Sequence, residues 1–216
     1  MPITQHHLLH SLNPAQQTAV SLPHTHALIL AGAGSGKTRV LVHRLAWLFQ
    51  EAGISPLNIL AVTFTNKAAR EMRERIETLL HISTHGMWVG TFHGLAHRLL
   101  RLHHQAAHLN NSFQILDSDD QYRLVRRALK NLNLDEQYWP PKQAQHFINH
   151  QKDAIRRPHQ VEHRHDDHSE TLSRVYAEYE RLCQHNGVID FAEIMLRCYE
   201  LLRDHPEIRQ QYQSRF

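Results

Sequence analysis

Apolar and polar positions follow two rhythms in the first hundred residues. Three short apolar runs stand out: Ala27–Leu30 (A-L-I-L), the stretch 58–65 (N-I-L-A-V-T-F-T) and the stretch 87–92 (M-W-V-G-T-F). Their length and continuity suit parallel strands covered on both faces. Behind each run, apolar residues recur every three or four positions. The first set is Val40, Leu41, Leu45, Leu48 and Phe49; the second is Ala68, Ala69, Met72, Ile76, Leu79 and Leu80; the third is Leu95, Leu99 and Leu102. Strand followed by helix, repeated at these lengths, predicts a parallel sheet with right-handed crossovers. Asn13 before Pro14 reads as the cap and first residue of a preceding helix, and Gly53 is placed to end the helix that starts near Lys37.

After about Asn110 strand signals nearly stop and helical periods take over. Asp117, Ser118 and Asp119 offer caps ahead of Leu124, Val125, Ala128, Leu129 and Leu132. Trp139-Pro140-Pro141-Lys142 opens a helix carrying Ala144, Phe147 and Ile148, and the polar stretch from Arg156 to Ser169 reads as a loop. Leu172, Val175, Tyr176, Tyr179 and Leu182 form a stripe ended by Gly187, and Asp190 with Glu193 has capping-box spacing ahead of Ile194, Met195, Cys198, Leu201 and Leu202. The pattern therefore predicts an α/β part followed by a mostly helical part, with no internal repeat.

Composition narrows the setting. An apolar fraction of 41% over 216 residues supplies a real core. Cys183 and Cys198 have no metal-site or disulfide spacing and read as small core residues, so a reducing compartment is expected. The first residues lack the charged-then-apolar order of a signal peptide, and no run of 18 apolar residues occurs, so the chain is expected to be soluble and cytoplasmic, with no membrane partner. A net charge of +3 is weak evidence for a polyanion partner. The 21 histidines would add positive charge as pH falls through about 6.5. His163, His165, Asp166, Asp167 and His168 include metal-ligand residue types, but in a polar loop they read as solvated, as do His6-His7 and His103-His104.

The junction after A-L-I-L carries the most specific chemistry. Ala31-Gly32-Ala33-Gly34-Ser35-Gly36-Lys37-Thr38 is a Walker A pattern, with Ala31 where the first Gly is usual. Three glycines let the backbone curl with its N–H groups inward, and the helix N-terminus behind them favours an anion. Lys37 then supplies a point charge for the outer phosphates of ATP, and the Thr38 hydroxyl a ligand for Mg²⁺. The second strand ends in Phe64, Thr65 and Asn66 and the third in Thr91, Phe92 and His93, which puts both sets at the carboxyl edge of the sheet, where ligands gather. Aromatic and hydroxyl groups there suggest a nucleic-acid track, although on pattern alone Phe64 reads as a core residue.

These segments carry a family resemblance. L-N-P-A-Q-Q-T-A-V, A-G-A-G-S-G-K-T-R-V-L-V-H-R, A-V-T-F-T-N-K-A-A-R-E-M and M-W-V-G-T-F-H-G-L-A-H-R-L-L-R resemble, in order and spacing, the N-terminal motifs of the UvrD/Rep/PcrA helicases of superfamily 1. The likeness continues through I-L-D-S-D-D-Q, N-L-D-E-Q-Y-W-P-P and V-I-D-F-A-E, close to the end of the chain. It implies a RecA-like, P-loop parallel sheet with helices, followed by a mostly helical inserted domain. Residues 1–110 would be the N-terminal part of motor domain 1A, 111–210 the helical 1B insertion, and 211–216 the start of the return to 1A.

By the same resemblance the activity is that of an ATP-dependent DNA helicase moving 3′ to 5′ in repair or replication. Single-stranded DNA or a duplex junction is the substrate, ATP and Mg²⁺ the cofactors, and repair proteins and the C-terminal remainder of the helicase the partners. Gln16 is implied as the adenine-reading residue, Lys37 and Thr38 as the catalytic phosphate and Mg²⁺ residues, and Arg39 as a further nucleotide contact. Phe64, Thr65, Asn66, Thr91, Phe92 and His93 are implied as single-strand contacts. The family also places an apolar strand ending in Asp-Glu after the helical insert, and this sequence reaches Phe216 without one. The chain alone is therefore expected to be an incomplete motor. Two readings stay open: the N-terminal portion of a helicase, or a truncated, non-catalytic module that binds nucleotide or DNA. A P-loop small-molecule kinase would leave both strand-end motifs unexplained.

Overall fold

The computed structural model describes residues 5–162 and 167–216, with side chains from Leu8 onward. It is α/β, with ten α-helices and small parallel sheets among the described residues, and it divides into two compact units. One comprises the residues up to Leu95 together with Tyr212–Phe216, the other Ala96–Gln211.

The first unit contains α1 (Gln5–His10), α2 (Pro14–Val20), α3 (Lys37–Gln50), β1 (Leu60–Thr63), α4 (Asn66–Leu80), β2 (Trp88–Thr91) and the start of α5 (Phe92–Leu102). Asn13 caps α2 as its position predicts: its side chain accepts from the Gln16 N–H, and the Gln16 side chain accepts in return from the Asn13 N–H. β1 and β2 pair in parallel, Leu60 opposite Trp88 and Thr63 opposite Thr91. The helical stripes close over this pair. Val42 and Leu45 of α3 and Met72 and Ile76 of α4 are buried with Ile59, Ala61, Met87 and Val89, and full burial of such side chains is worth about 1.5–3 kcal/mol each. The Arg73 guanidinium of α4 donates to the Val89 carbonyl (2.7 Å), tying helix to strand. Residues from Tyr212 onward return to the unit: the Trp88 ring lies 5.4 Å from that of Tyr212 and 5.6 Å from that of Phe216, and Arg215 donates to the Leu57 carbonyl.

The first predicted strand departs from expectation. Leu28–Leu30 joins no ladder among the described residues, and Leu28 and Leu30 are 82% and 86% exposed. An apolar run of this type becomes a strand only between neighbours that satisfy its backbone and cover its side chains, and β1 and β2 pair with each other instead.

The second unit holds the rest of α5, then β3 (Gln114–Ile115), α6 (Ser118–Asn131), α7 (Pro141–Asp153), α8 (Asp167–Asn186), β4 (Val188–Ile189), α9 (Phe191–Asp204) and most of α10 (Pro206–Arg215). The predicted stripes form its core: Val125, Ala128 and Leu129 of α6 and Ala144 and Ile148 of α7 pack with Leu172, Val175, Tyr176, Tyr179 and Leu182 of α8. Asp117 caps α6, accepting from the Asp119 and Asp120 N–H groups, and Gly187 ends α8 with φ of +65°. β3 and β4 make a two-residue parallel pair that the pattern does not announce, Gln114 opposite Val188. Leu102 is a smaller departure, 59% exposed at the end of its stripe.

The stretch read as a loop from Arg156 to Ser169 is only partly one. Pro158–Gln160 forms a 3-10 turn, and α8 already begins at Asp167, whose carboxylate and that of Glu170 suit the positive end of a helix. His163, His165 and Asp166 lie outside the described residues, as do the side chains of His6 and His7. Among the described residues no group of three or more His, Cys, Asp or Glu is arranged to hold a metal, and no helix is long and apolar enough to cross a membrane.

Asp190 and Glu193 do more than their spacing suggests. The Asp190 carboxylate caps α9 by accepting from the Glu193 N–H, but Glu193 does not return to the cap. It turns inward to Lys152 (2.8 Å), Arg157 (2.9 Å) and Arg197 (2.8 Å). Lys152 also meets Asp190 (2.6 Å), which accepts from the Tyr179 hydroxyl, and Arg157 reaches Glu180 and Glu200. Burial alone would raise the Glu193 carboxyl; Lys152, Arg157 and Arg197 hold it well below the usual carboxylate range. The network ties α7, the 3-10 turn, α8 and α9 into one body.

Candidate nucleotide site and sheet edge

The loop 31–36 has the curl its residue types predict. Gly34 and Gly36 have φ of +73° and +85°, the left-handed region that glycine enters without strain. A Cβ at Gly36 would also lie 2.9 Å from the Gln16 Nε2, so a side chain there meets both barriers. Gly36 caps α3 without a side-chain acceptor, which leaves the amides of the first turn turned outward at the positive end of a 14-residue helix. The Ser35 hydroxyl donates to the Gly32 carbonyl (2.7 Å) and stiffens the turn. The Lys37 ammonium folds back over the loop onto the carbonyls of Ala31 (2.9 Å) and Gly32 (2.5 Å). Thr38 and Arg39 are exposed beside it, and the loop from Ala31 to Ser35 is open to solvent.

The structure brings Gln16 to this loop. Its Nε2 donates to the Ser35 carbonyl at 3.1 Å, while its Oε1 stays with the α2 cap. Arg39 is turned elsewhere, its guanidinium donating to the Ser11 carbonyl (2.8 Å). The residues present suit a nucleotide with its metal. Uncapped first-turn amides, the Lys37 ammonium and the exposed Thr38 flank a glycine turn with nothing within 4 Å of the Cβ positions of Gly32 and Gly34. Lys37 and the first-turn amides of α3 would hold the phosphates and Thr38 the Mg²⁺.

The other candidate set gathers at the carboxyl end of the β1–β2 pair. Thr65 caps α4, its Oγ1 accepting from the Ala68 N–H (3.1 Å); Thr91 does the same at the start of α5, accepting from the Gly94 N–H (3.2 Å). Each cap fixes the residue beside it. Phe64 is 92% exposed and Phe92 57%, so the core reading of Phe64 is overturned: β1 ends at Thr63, and the following turn points the ring away from the core. Asn66 is exposed, and Thr91 and His93 are half-buried.

Three features lie outside the sequence-predicted set. The first is the ion network around Glu193, where Asp190 and Glu193 carry a spacing signal, but that signal is for a helix cap. The second is Arg73 on the Val89 carbonyl. The third is Arg44 on α3, whose guanidinium reaches the carbonyls of Val20, Leu22 and Pro23. No spacing in the sequence signals the last, because its partners are backbone carbonyls some twenty residues upstream.

Residues 12–216 match the UvrD/REP helicase N-terminal domain. The chain is 55% identical over 210 residues to DNA helicase II of Escherichia coli (strain K12), which covers 97% of this chain and 29% of that protein. It is 51% identical over 213 residues to DNA helicase II of Haemophilus influenzae, and 38% identical over 210 residues to ATP-dependent DNA helicase PcrA of Staphylococcus aureus (strain Mu50), with the same shares covered. This chain spans under a third of the length of these relatives. With the family model matched over residues 12–216, the chain belongs to the UvrD/REP helicase N-terminal domain family.

Proposed function

We propose that this chain is the ATP-binding and single-strand-binding N-terminal portion of an ATP-dependent 3′-to-5′ DNA helicase acting in repair or replication. The observation that carries it is the convergence on one loop of the uncapped α3 N-terminus, the Lys37 ammonium and the Gln16 amide. Lys37 exchanges its loop carbonyls for phosphate oxygens, Thr38 ligates Mg²⁺, and Gln16 pairs its planar amide with the N6 and N7 edge of adenine, a match such amides make well. Arg39 leaves Ser11 to join the nucleotide. Phe64 and Phe92 stack bases while Thr65, Asn66, Thr91 and His93 hold the strand beside them.

The domain reading is that residues 1–110 form the N-terminal part of motor domain 1A, with a RecA-like sheet to which Leu28–Leu30 contributes once neighbours flank it. Residues 111–210 form the helical 1B insertion and 211–216 begin the return. The mostly helical core of the second unit and the contacts of Tyr212, Arg215 and Phe216 with Trp88 and Leu57 support this division. Partners of the parent protein are a duplex junction, repair proteins and its own C-terminal part, in the cytoplasm.

A second reading, a module that binds without hydrolysing, is favoured for these 216 residues alone by their acids. Residues 1–95 contain no Asp and four Glu. Glu51 caps the far end of α3, Glu71 and Glu74 pair with Arg75 and Arg70, and Glu77 bonds Thr84. None of the four is held at Thr38, and phosphoryl transfer needs a group that orients the attacking water. Titration with a fluorescent ATP analogue tests the shared core of both readings: Lys37→Ala weakens binding, and equal affinity of wild type and variant removes the P-loop assignment.

A further inference from the structure

α2 is gripped from both ends by arginines of α3. Upstream of it, the Arg39 guanidinium donates to the Ser11 carbonyl (2.8 Å). Downstream, Arg44 Nη1 donates to the Val20 carbonyl (2.8 Å) and to that of Leu22, and Nη2 to that of Pro23 (3.1 Å). The same guanidinium lies 4.9 Å from the centre of the Trp47 ring, which fixes its plane. The last carbonyls of a helix have no partners of their own, so a cation there satisfies them and opposes the negative end of the dipole.

Apart from this grip, α2 is held by the small apolar cluster of Leu12, Val20 and Val40 and by Gln17 Nε2, which donates to the Leu9 and Leu12 carbonyls. The helix is seven residues long, below the length at which a helix persists alone, and Val20 is its one buried residue. Gln16 lies in its first turn, shares the capping box with Asn13, and touches the loop 31–36 through one hydrogen bond, to the Ser35 carbonyl. The position of the Gln16 amide is therefore set by how α2 is docked on α3, and Arg44 makes the largest number of polar contacts in that docking.

We infer that Arg44 is a positioning residue for base selection: by clamping the C-terminal end of α2 to α3 it holds the Gln16 amide where an adenine edge is read, without touching nucleotide itself. The inference rests on the reading of Gln16 as the base contact. It separates two properties of one site. Phosphate affinity belongs to Lys37 and the α3 N-terminus, which Arg44 does not touch, while discrimination of the base depends on α2.

ATP, inosine triphosphate (which carries an oxygen in place of the N6 amine) and inorganic tripolyphosphate are titrated against wild type, Arg44→Ala, Arg44→Lys and Gln16→Ala. Arg44→Ala is expected to lower ATP affinity by about three- to tenfold, the worth of a lost hydrogen bond. Affinities for inosine triphosphate and tripolyphosphate stay unchanged, which certifies an intact P-loop. Arg44→Lys, which keeps the charge but cannot span three carbonyls, shows the same loss in smaller measure and stands in if the alanine variant does not fold. Amide exchange in residues 14–21 is expected to quicken in the Arg44 variants while exchange in α4 does not. An ATP-to-inosine-triphosphate ratio that Gln16→Ala abolishes and Arg44→Ala leaves intact overturns the positioning role alone. A wild-type ratio that Gln16→Ala does not change removes the base reading, and the positioning role with it. Unchanged amide exchange in α2 overturns the clamp whatever the nucleotide results.

Discussion

Thr63 and Thr91 face one another as the last register partners of the β1–β2 pair, so the chain leaves both strands at the same level and Phe64 and Phe92 follow them at one sheet edge. Both rings are exposed, at 92% and 57%, where an apolar side chain gains nothing from the core. Single-strand binding is therefore expected to depend on them. Phe64→Ala and Phe92→Ala each lose about 1–3 kcal/mol of affinity for oligo-dT, measured by fluorescence anisotropy. Affinity also falls with rising salt as phosphate contacts release counterions. Binding indifferent to both substitutions and to salt would make the rings bystander surface.

Gly36 is a position only glycine fills without strain. An alanine there would sit at φ of +85° with its Cβ 2.9 Å from the Gln16 Nε2. The left-handed backbone costs a non-glycine residue about 1–2 kcal/mol. The amide of Gln16 must also shift, breaking its bond to Ser35. Gly36→Ala is expected to lower both thermal stability and ATP affinity, whereas Gly32→Ala, with open space at its Cβ and no left-handed φ, keeps the fold.

The Glu193 network makes the second unit acid-sensitive. A carboxyl whose folded value is held below its unfolded one, about 4.3, stabilises the fold fully above that value and loses the contribution as pH falls toward the folded value. Thermal melting followed by circular dichroism is expected to be flat near neutrality and to drop below about pH 4.3. Glu193→Gln leaves Lys152 and Arg157 short of a buried partner and costs about 3–5 kcal/mol at pH 7, while shallowing the acid limb. An acid limb identical in wild type and variant would assign the loss of stability to other carboxylates.

Much of this was legible in the sequence where one local cause decides the outcome. Asn13-Pro14 fixes a helix start, the glycines of 32–36 fix a turn, and the stripes Val125 to Leu132 and Leu172 to Leu182 fix a helical core. What escaped reading depends on partners far along the chain. Leu28–Leu30 has the composition of a strand but becomes one only beside neighbours. Phe64 looks apolar enough for a core, yet its exposure is decided by where β1 stops. Glu193 has the spacing of a cap partner for Asp190, but its burial with Lys152 and Arg157 is decided only where α7, the 3-10 turn and α9 meet. Arg44 belonged to a motif that was quoted for its lysine, and its own role lies in carbonyls some twenty residues upstream.

The central claim is that these residues hold ATP and Mg²⁺ at Lys37 and Thr38 while no carboxylate among them orients the attacking water. Phosphate release from ATP by the purified chain, with and without oligo-dT, tests it most directly when run beside ATP binding and with Lys37→Ala as the contamination control. The account predicts binding that the variant weakens and turnover indistinguishable from that of the variant. Turnover of several ATP per second in wild type and none in Lys37→Ala, at the pace of ordinary enzymes, would contradict it and place a catalytic carboxylate within the 216 residues.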